Sequence, residues 1–298
     1  MTGLRYDVVD VFTDRPFAGN PLAVVHGATE LSTAQMQAIA AEFGLSETTF
    51  PLPPTTPEAD YRLRVFTPVT ELPFAGHPSV GSAWVLARAG RIPVGAVVQE
   101  CGAGLLPVRV DHEGAAVDGG PPEVGPDLDG AVLAEAVGLT AADVDTAAPA
   151  GFASAGVPYA LLPVRDGAPA RAEANPALIR RVLARYALGG PAIAVVSFDA
   201  AAARAHLRMF APDVGVAEDP ATGSAAVALA VFLVDRGLLA ADGESEFVVD
   251  QGGEMGRPSR LEVSVRAAAG AANRTSVRGG VAAVAGGELL ALPEASDG

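Results

Sequence analysis

The sequence contains no lysine: all twenty basic residues are arginine, and 35 acidic residues leave a formal net charge of -15. Without lysine, the side chains cannot form a Schiff base with a carbonyl substrate or with pyridoxal phosphate. So large an excess of negative charge repels phosphate backbones and anionic lipids, so neither nucleic acid nor a membrane is an expected partner. A small anionic substrate can still bind where a helix N-terminus or an arginine supplies a local positive field.

Cysteine is almost as scarce. The single cysteine, Cys101, excludes an intrachain disulfide and any mechanism that needs two thiols, and it fits a reducing cytoplasm. Half of the residues are hydrophobic, yet no apolar run approaches the roughly 20 residues that span a bilayer. The N-terminus also lacks the basic flank and apolar core of a signal peptide. We therefore expect a soluble, cytoplasmic protein.

Metal and nucleotide motifs are missing as well. No two of the four histidines, His26, His77, His112 and His206, are spaced i, i+4, and no cluster of cysteine or carboxylate completes a ligand set. A metal hydrolase is therefore a distant alternative. The segment "GGEMGRPS" is rich in glycine but lacks the P-loop lysine and the GxGxxG spacing, so it predicts a turn between strands. No metal and no cofactor is expected.

An internal repeat is the strongest organising signal in the chain. Three segments recur in the same order at nearly constant separation: "LRVFTP" at Leu63 and "LRMFAP" at Leu207, "HPSVGSA" at His77 and "DPATGSA" at Asp219, and "VVQECGAG" at Val97 and "VVDQGGEM" at Val248. Chance matches would not stay in register in this way. The chain is therefore predicted to be a duplicated domain.

The two copies predict domains at 1–120 and 121–298, with the final strand able to return to the first domain. Their predicted join is "GGPPEVGPDLDG", residues 119–130, which is rich in Gly, Pro and Asp and has no periodicity. In each copy a second helix is hydrophobic around most of its circumference, so we expect it to be enclosed. The predicted fold class is α+β, with strands wrapped around a central helix in each of two pseudo-repeated domains.

The starts of these two helices carry the first candidate site residues. In "EDPATGSAAVALA", Asp219 is predicted to be the N-cap and Pro220 the first helical residue; in "GHPSVGSAWVL", His77 takes the position of Asp219. Asp219 could be only a cap, Ser224 could only satisfy a helix-end N–H, and His77 alone could be structural. Capping would not favour histidine, however, and the retained neighbours favour a pair that orients a polar substrate across a cleft and moves protons.

Glu47, in "LSETTF", is the second candidate. A carboxylate beside an apolar strand is either at a solvated strand end or is kept for its proton. Partial burial would raise the pKa of Glu47 by desolvation, which suits a group that both takes and returns a proton near neutral pH.

Five ordered motifs together resemble the PhzF family of phenazine biosynthesis, which has the diaminopimelate epimerase fold. They are "DVFTDRPFAGNPLAVV", "LSETTF", "GHPSVGSA", "EDPATGSA" and "QGGEMGRPS", and the resemblance runs from about residue 6 to "VRGGVAAVAGGEL". It implies two halves, each a barrel-like sheet around a central helix, with the active site between them, and a homodimer. The prototype of the family isomerises trans-2,3-dihydro-3-hydroxyanthranilate without cofactor or metal, and one glutamate moves the proton.

The resemblance also implies roles for particular residues. Glu47 matches the catalytic glutamate, His77 and Asp219 match the histidine and aspartate at the helix starts, and Ser46, Gly76, Gly223 and Ser224 fall where the family binds substrate. Many relatives have cysteine before the Gly-His pair, where this chain has Ala75. The leading hypothesis is a cofactor-independent isomerase of a small cyclic or unsaturated amino or carboxylic acid. The alternative is a non-catalytic small-molecule-binding protein on the same scaffold.

Overall fold

The computed structural model describes residues 3–186 and 192–294. The chain divides into two compact units: unit 1 is Met1–Val117 together with Arg278–Gly298, and unit 2 is Asp118–Val277. The predicted boundary at residue 120 lies close to the first of these divisions. The chain from Arg278 onward belongs to unit 1, whereas the predicted second domain extends to residue 298 and only allows for the return of its last strand.

Unit 1 contains the first two α-helices, the first seven strands, and all of the eighth strand except its last residue. In chain order these elements are β1 Leu4–Val11, β2 Asn20–Val25, α1 Thr33–Phe43, β3 Glu47–Leu52, β4 Tyr61–Phe66, β5 Glu71–Leu72, α2 Gly76–Arg88, β6 Gly95–Cys101, β7 Gly104–Val110 and β8 Gly114–Asp118. Helix α1 has clear local signals: Ser32 and Gln35 form a capping box, and Gly44 ends the helix in the left-handed conformation at φ 61°.

The strands of unit 1 pair in a regular alternation. Strand β1 is antiparallel to β2, β2 is parallel to β3, β3 is antiparallel to β4, β4 is parallel to β6, and β6 is antiparallel to β7. Each parallel step is a crossover that contains a helix, α1 between β2 and β3 and α2 between β4 and β6.

Helix α2 is enclosed by this sheet. Every residue from His77 to Leu86 is buried, and the helix contacts β1, β2, β3 and β7. At Gly81 the helix and strands approach so closely that a Cβ atom would lie 2.6 Å from Leu22 Cδ2 and 2.8 Å from Val11 Cγ2. The enclosed position predicted for this helix is therefore confirmed.

Unit 2 contains three further helices and the next eight strands. In chain order they are β9 Pro122–Asp127, α3 Gly130–Ala136, β10 Gly151–Ala155, β11 Pro158–Pro163, α4 Pro176–Arg185, β12 Ile193–Asp199, β13 Arg204–Ala211, β14 Val216–Asp219, α5 Gly223–Asp235, β15 Gly243–Gln251 and β16 Ser259–Ala268. The last strand, β17 Ala271–Leu289, contains residues of both units.

Unit 2 repeats the pairing order of unit 1. Strand β10 is antiparallel to β11, β11 is parallel to β12, β12 is antiparallel to β13, β13 is parallel to β15, and β15 is antiparallel to β16. Helix α5 takes the place of α2: Gly223 and all residues from Ala225 to Val234 are buried, and the helix contacts β9, β10, β11 and β16. The duplication predicted from sequence is thus confirmed in the strand order, and the fold class is α+β.

Residues 119–130, the predicted join, contain β9, which pairs with β10, and α3 begins at Gly130 behind an Asp129 N-cap. One local prediction is wrong. Asp219 is not the N-cap of α5: it ends β14, and Thr222 is the cap. In the matching helix, Ala75 is the N-cap and His77 lies inside the first turn.

The helices are short relative to the thickness of a bilayer. Within residues 3–186 and 192–294, no helix is both long enough and apolar enough to cross a membrane.

Candidate active site

Glu47 and His77 meet in unit 1. Glu47 is the first residue of β3, as the sequence predicted, and His77 is the second residue of α2. Their side chains are 16% and 7% exposed, and Glu47 Oε2 lies 3.3 Å from His77 Nε2. A carboxylate and an imidazole are therefore in contact in a largely dehydrated place.

A second contact between the same two elements explains why they meet. Side chains alternate along a strand, so Thr49 shares the face of β3 that carries Glu47. Thr49 Oγ1 lies 2.8 Å from Ser82 Oγ of α2, and both side chains are fully buried. Thr49 Oγ1 also donates to the backbone oxygen of Ala23 on β2, at 3.2 Å. This bonding fixes β3 against α2 and so sets the distance between the two candidate catalytic groups.

Burial decides the charge of His77. Desolvation lowers its pKa to about 3, because the imidazolium form would lose its hydration inside the protein. His77 is therefore neutral near pH 7. A neutral imidazole can donate from its N–H to a carboxylate, and its other tautomer can accept from a carboxylic acid. His77 can thus act as a hydrogen-bond donor when Glu47 is ionised and as an acceptor after Glu47 takes up a proton.

The start of α2 is held by a chain of buried hydrogen bonds. Tyr61 Oη donates to Gln99 Oε1 at 3.0 Å, Gln99 Nε2 donates to Ser79 Oγ at 2.9 Å, and Ser79 Oγ donates to the backbone oxygen of Ala75 at 2.9 Å. Burial raises the pKa of Tyr61, so its hydroxyl stays protonated and remains a donor. Because Ala75 caps α2, this chain positions the first turn, in which His77 lies.

The other two predicted residues of unit 1 lie beside this pair in sequence. Gly76 is the first residue of α2, directly before His77. Ser46 precedes Glu47 and donates from Oγ to Asn20 Oδ1 at 3.0 Å, and Asn20 is fully buried at the start of β2. Unit 1 therefore contains Ser46, Glu47, Gly76 and His77, and places the glutamate and the histidine in direct contact.

Unit 2 contains the remaining predicted residues. Asp219 is 9% exposed, and its Oδ2 accepts a 2.5 Å hydrogen bond from Thr222 Oγ1. Gly223 and Ser224 are the first two residues of α5. Ser224 Oγ lies 2.7 Å from the hydroxyl of Tyr159, a buried residue of β11. The arrangement gives one carboxylate and one hydroxyl, each with a buried hydroxyl partner.

A buried ion pair holds the strand that carries Asp219. Arg208 of β13 binds both carboxylate oxygens of Glu218 at 2.8 Å, and its Nη1 donates to the backbone oxygens of Pro169 and Ala172 at 3.0 and 2.6 Å. Bidentate geometry of this kind fixes orientation as well as charge. The carboxylate next to Asp219 is thus engaged by an arginine, and β14 is fixed in place.

Metal-ligating side chains do not gather in either unit. Across the part of the chain that the structure describes, no group of three or more His, Cys, Asp or Glu side chains is placed to hold a metal ion.

Comparison with known families decides what this arrangement belongs to. The family model of the phenazine biosynthesis-like proteins, PhzC-PhzF, matches residues 9–287. This chain belongs to the PhzC-PhzF family. The resemblance found in the five sequence motifs is therefore confirmed, and the match extends over both units.

Curated members and relatives of the PhzC-PhzF family include named isomerases. An uncharacterized isomerase of Mesorhizobium japonicum is 38% identical over 301 residues, covering 96% of this chain and 98% of that protein. The trans-2,3-dihydro-3-hydroxyanthranilate isomerase of Pseudomonas aeruginosa is 34% identical over 288 residues, covering 95% of this chain and 98% of that protein. These relatives support an isomerase of this family.

A solved structure of the PhzC-PhzF family has the same fold. The crystal structure of a Bacillus anthracis phenazine biosynthesis protein of the PhzF family matches with a TM-score of 0.88 and 27% sequence identity, covering 98% of this chain and 100% of that one. The α+β fold predicted from the repeat is confirmed by this match.

Sequence reasoning missed the residues that hold the candidate site in place. They include Asn20, Thr49, Ser82, Gln99 and Tyr159, and also Gln251, whose Nε2 donates to the backbone oxygen of Asp219. The sequence does carry one signal: Gln251 opens the motif "QGGEMGRPS", whose pattern predicts only a turn. That turn is confirmed, since a 3-10 turn at Gly253–Met255 joins β15 to β16, but the pattern does not reveal the role of the buried glutamine before it.

Proposed function

We propose that this protein is an isomerase that moves one proton, and with it a double bond, within a small cyclic or unsaturated amino or carboxylic acid. Glu47 is the acid/base in this proposal. The observation that carries it is the 3.3 Å contact between Glu47 Oε2 and a buried, neutral His77. Membership of the PhzC-PhzF family and the named isomerases among its relatives support the reaction class.

The proposed step balances without a co-reactant. The Glu47 carboxylate takes a proton from a substrate carbon, so a C–H bond breaks and an O–H bond forms. The electron pair of the broken C–H bond forms a new C=C bond, and the electron pair of the existing double bond moves onto a second carbon. That carbon then takes the proton back from Glu47. General acid/base transfer of this kind contributes typically about 10²–10⁴-fold to rate, so substrate positioning must supply much of the rest.

The other predicted site residues are assigned to binding and polarisation. The N–H of His77, whose Nε2 lies 3.3 Å from Glu47 Oε2, is assigned to donate to the ionised carboxylate when substrate is bound. As a neutral ring, His77 adds no positive charge that would stabilise the ionised form of Glu47. We assign Asp219 to accept hydrogen bonds from amino or hydroxyl groups of the substrate. Ser224 and the N–H groups at the start of α5, which bear partial positive charge, are assigned to its anionic end. Ser46, Gly76 and Gly223 are assigned to the lining of the substrate pocket.

The test uses trans-2,3-dihydro-3-hydroxyanthranilate, the compound in the name of the Pseudomonas aeruginosa relative. Purified protein is incubated with it in deuterium oxide, and absorbance and deuterium at each substrate carbon are followed. We expect a spectral change with the unsubstituted protein, and a rate lower by about 10²–10⁴-fold with Glu47→Gln. The matched control is Glu42→Gln, which makes the same chemical change at an exposed position of α1 and should leave the rate unchanged.

Three results would separate the hypotheses. Full activity of Glu47→Gln would overturn the assignment of the base. Binding of the compound without turnover or deuterium exchange in the unsubstituted protein would favour the non-catalytic binding protein. Neither binding nor exchange would exclude this compound, and the same exchange assay would then be run on other small cyclic and unsaturated acids.

A further inference from the structure

Gln251, the last residue of β15, is one of the most deeply buried polar residues of unit 2. It is 2% exposed, and its side-chain amide bonds to the segment that joins β14 to α5. Its Nε2 donates to the backbone oxygen of Asp219 at 2.7 Å and to Thr222 Oγ1 at 3.0 Å. Its Oε1 accepts from the backbone N–H of Thr222 at 3.0 Å. One side-chain amide thus bonds to both ends of the segment.

These contacts fix the direction of each hydrogen bond. Reversing the amide would set its oxygen against the carbonyl of Asp219 and its NH₂ against the N–H of Thr222, leaving acceptor facing acceptor and donor facing donor. The NH₂ group therefore points at Thr222 Oγ1, which must accept. The proton of the threonine hydroxyl is then directed to Asp219 Oδ2, 2.5 Å away. A hydroxyl that donates to a carboxylate stabilises its ionised form.

The turn after Gln251 packs against the same segment. Gly252 has φ +75°, and a Cβ atom there would lie 2.5 Å from the backbone oxygen of Pro220 and 2.4 Å from that of Arg257. Only glycine permits both the backbone conformation and this close approach. The motif "QGGEMGRPS" is therefore joined to the motif "EDPATGSA" by hydrogen bonds and by direct backbone packing.

We propose that Gln251 is a positioning residue for Asp219: through Thr222 it holds the Asp219 carboxylate in place as a hydrogen-bond acceptor. The proposal rests on the substrate-binding role assigned to Asp219 above. It implies that the substrate group bound by Asp219 is a donor, an amino, ammonium or hydroxyl group, and not a second carboxylate. The threonine proton and the substrate donor would then share one anionic group.

Other charged groups on the neighbouring strands have partners of their own. Arg208 of β13 binds Glu218 of β14. His206 of β13 lies with its Nε2 2.9 Å from Oε1 of Glu254, in the turn after β15. On β13 and β15, Arg204 pairs with Asp250. A test must therefore follow Asp219 itself and not the bulk titration of unit 2.

The test measures the protonation of Asp219 directly, without turnover. Protein labelled with ¹³C at the aspartate carboxyl carbon is titrated by NMR, and the Asp219 signal is identified as the one lost in Asp219→Asn. In Thr222→Val, which removes the hydroxyl and keeps the shape, we expect the midpoint to move upward by about one pH unit, a tenfold change in proton affinity. Thr222→Ser keeps the hydroxyl and should restore the unsubstituted midpoint. Gln251→Leu should shift it in the same direction as Thr222→Val.

The matched control is Gln99→Leu, which removes the buried glutamine of unit 1. It should leave the Asp219 midpoint unchanged although it also removes buried hydrogen bonds. If Gln251→Leu does not fold, Gln251→Met replaces it, because methionine keeps the length of the side chain and removes the amide. Unchanged midpoints in folded Thr222→Val and Gln251→Leu would overturn the proposal.

The deuterium-exchange assay separates this proposal from the proposed function. A shifted midpoint, together with substrate binding but no exchange in the unsubstituted protein, would support the positioning of Asp219 and count against the isomerase. Exchange with unshifted midpoints would do the reverse. Where exchange occurs, the acid limb of the pH–rate profile should move upward in Thr222→Val and return in Thr222→Ser, an effect that a merely structural role would not produce.

Discussion

The two copies of the repeated motif begin their helices at different points. In unit 1, α2 starts at Gly76, so His77 and Pro78 lie inside the helix; in unit 2, α5 starts at Gly223, so Asp219 and Pro220 lie before it. The two stretches share the Pro, Gly, Ser and Ala of the motif but differ at three positions: His77, Ser79 and Val80 of unit 1 match Asp219, Ala221 and Thr222 of unit 2. Threonine is a better N-cap than valine, and contacts from elsewhere in each unit add to this local difference.

Each unit uses a buried glutamine in these contacts, but the two glutamines bind different groups. Gln99 reaches the hydroxyl of Ser79, which donates to the carbonyl four residues back and so fits inside a helical turn. The matching position in the second copy is Ala221, which has no hydroxyl. There Gln251 binds the backbone carbonyl of Asp219 and the N–H of Thr222. The carbonyl of Asp219 and the N–H of Thr222 therefore bond to Gln251, and both residues lie before the start of α5.

The largest stability effect should come from Gln99→Leu. The substitution leaves the buried hydroxyl of Tyr61 without its acceptor, at a cost of about 1–3 kcal/mol, and removes one of the two hydrogen bonds of the Ser79 hydroxyl. The only tryptophan, Trp84, lies in α2, so its fluorescence during urea unfolding reports on this helix. An unfolding free energy within about 0.5 kcal/mol of the unsubstituted value would show that the glutamine does not hold the start of α2.

A pH dependence should distinguish the histidine copy from the aspartate copy. The unfolded state protonates His77 near its ordinary pKa of 6.5, whereas the folded state resists protonation down to about 3. The unfolded state thus binds more protons in this window, and stability contributed by His77 is lost as pH falls below about 6.5. The slope approaches about 1.4 kcal/mol per pH unit once the unfolded state is fully protonated.

Urea unfolding between about pH 6.5 and 5.5, above the ordinary titration range of carboxyl groups, measures this slope. The unsubstituted protein should lose stability more steeply than His77→Asn, while Asp219→Asn should keep the steep slope. Equal slopes for the unsubstituted protein and His77→Asn would mean that His77 takes up its proton as readily in the folded state as in the unfolded state.

The smallest effects should come from ion pairs between parallel strands at the surface. Arg62 and Glu100 join β4 to β6 at 3.9 Å, and Arg204 and Asp250 join β13 to β15. Because the arginines are substantially exposed, replacing either by alanine should cost less than about 1 kcal/mol, and added salt should reduce the difference. A loss well above that value in denaturant titration would show that these pairs contribute more to strand pairing than exposure allows.

Local pattern predicted much of the fold. The all-round hydrophobicity of α2 and α5 predicted their enclosure. Local composition did not reveal β9 within residues 119–130, because that strand contains prolines and glycine and is defined by its pairing with β10. The Asp219 cap failed for a similar reason: Gln251 engages the chain there from a distant part of the sequence.

Sequence reasoning could propose candidate residues that have a distinctive type and motif. It could not propose residues whose role is to hold a candidate residue in position. Glu47 and His77 were found by type and setting, and the structure adds their 3.3 Å contact. The supporting groups Thr49 and Ser82 are ordinary residues of a strand and a helix, and only their pairing in space shows their role. The raised pKa expected for Glu47 stays a prediction.

The path of the chain through the units constrains how the protein is made. Strand β1 pairs along its length with residues 281–289 of β17, so its partner is synthesised only after unit 2. All of unit 2 leaves the ribosome in the interval. Until then, one edge of β1 remains open to pairing with other chains. A stop codon just before Arg278 would therefore spare the residues of unit 2 yet leave unit 1 with an unfinished sheet.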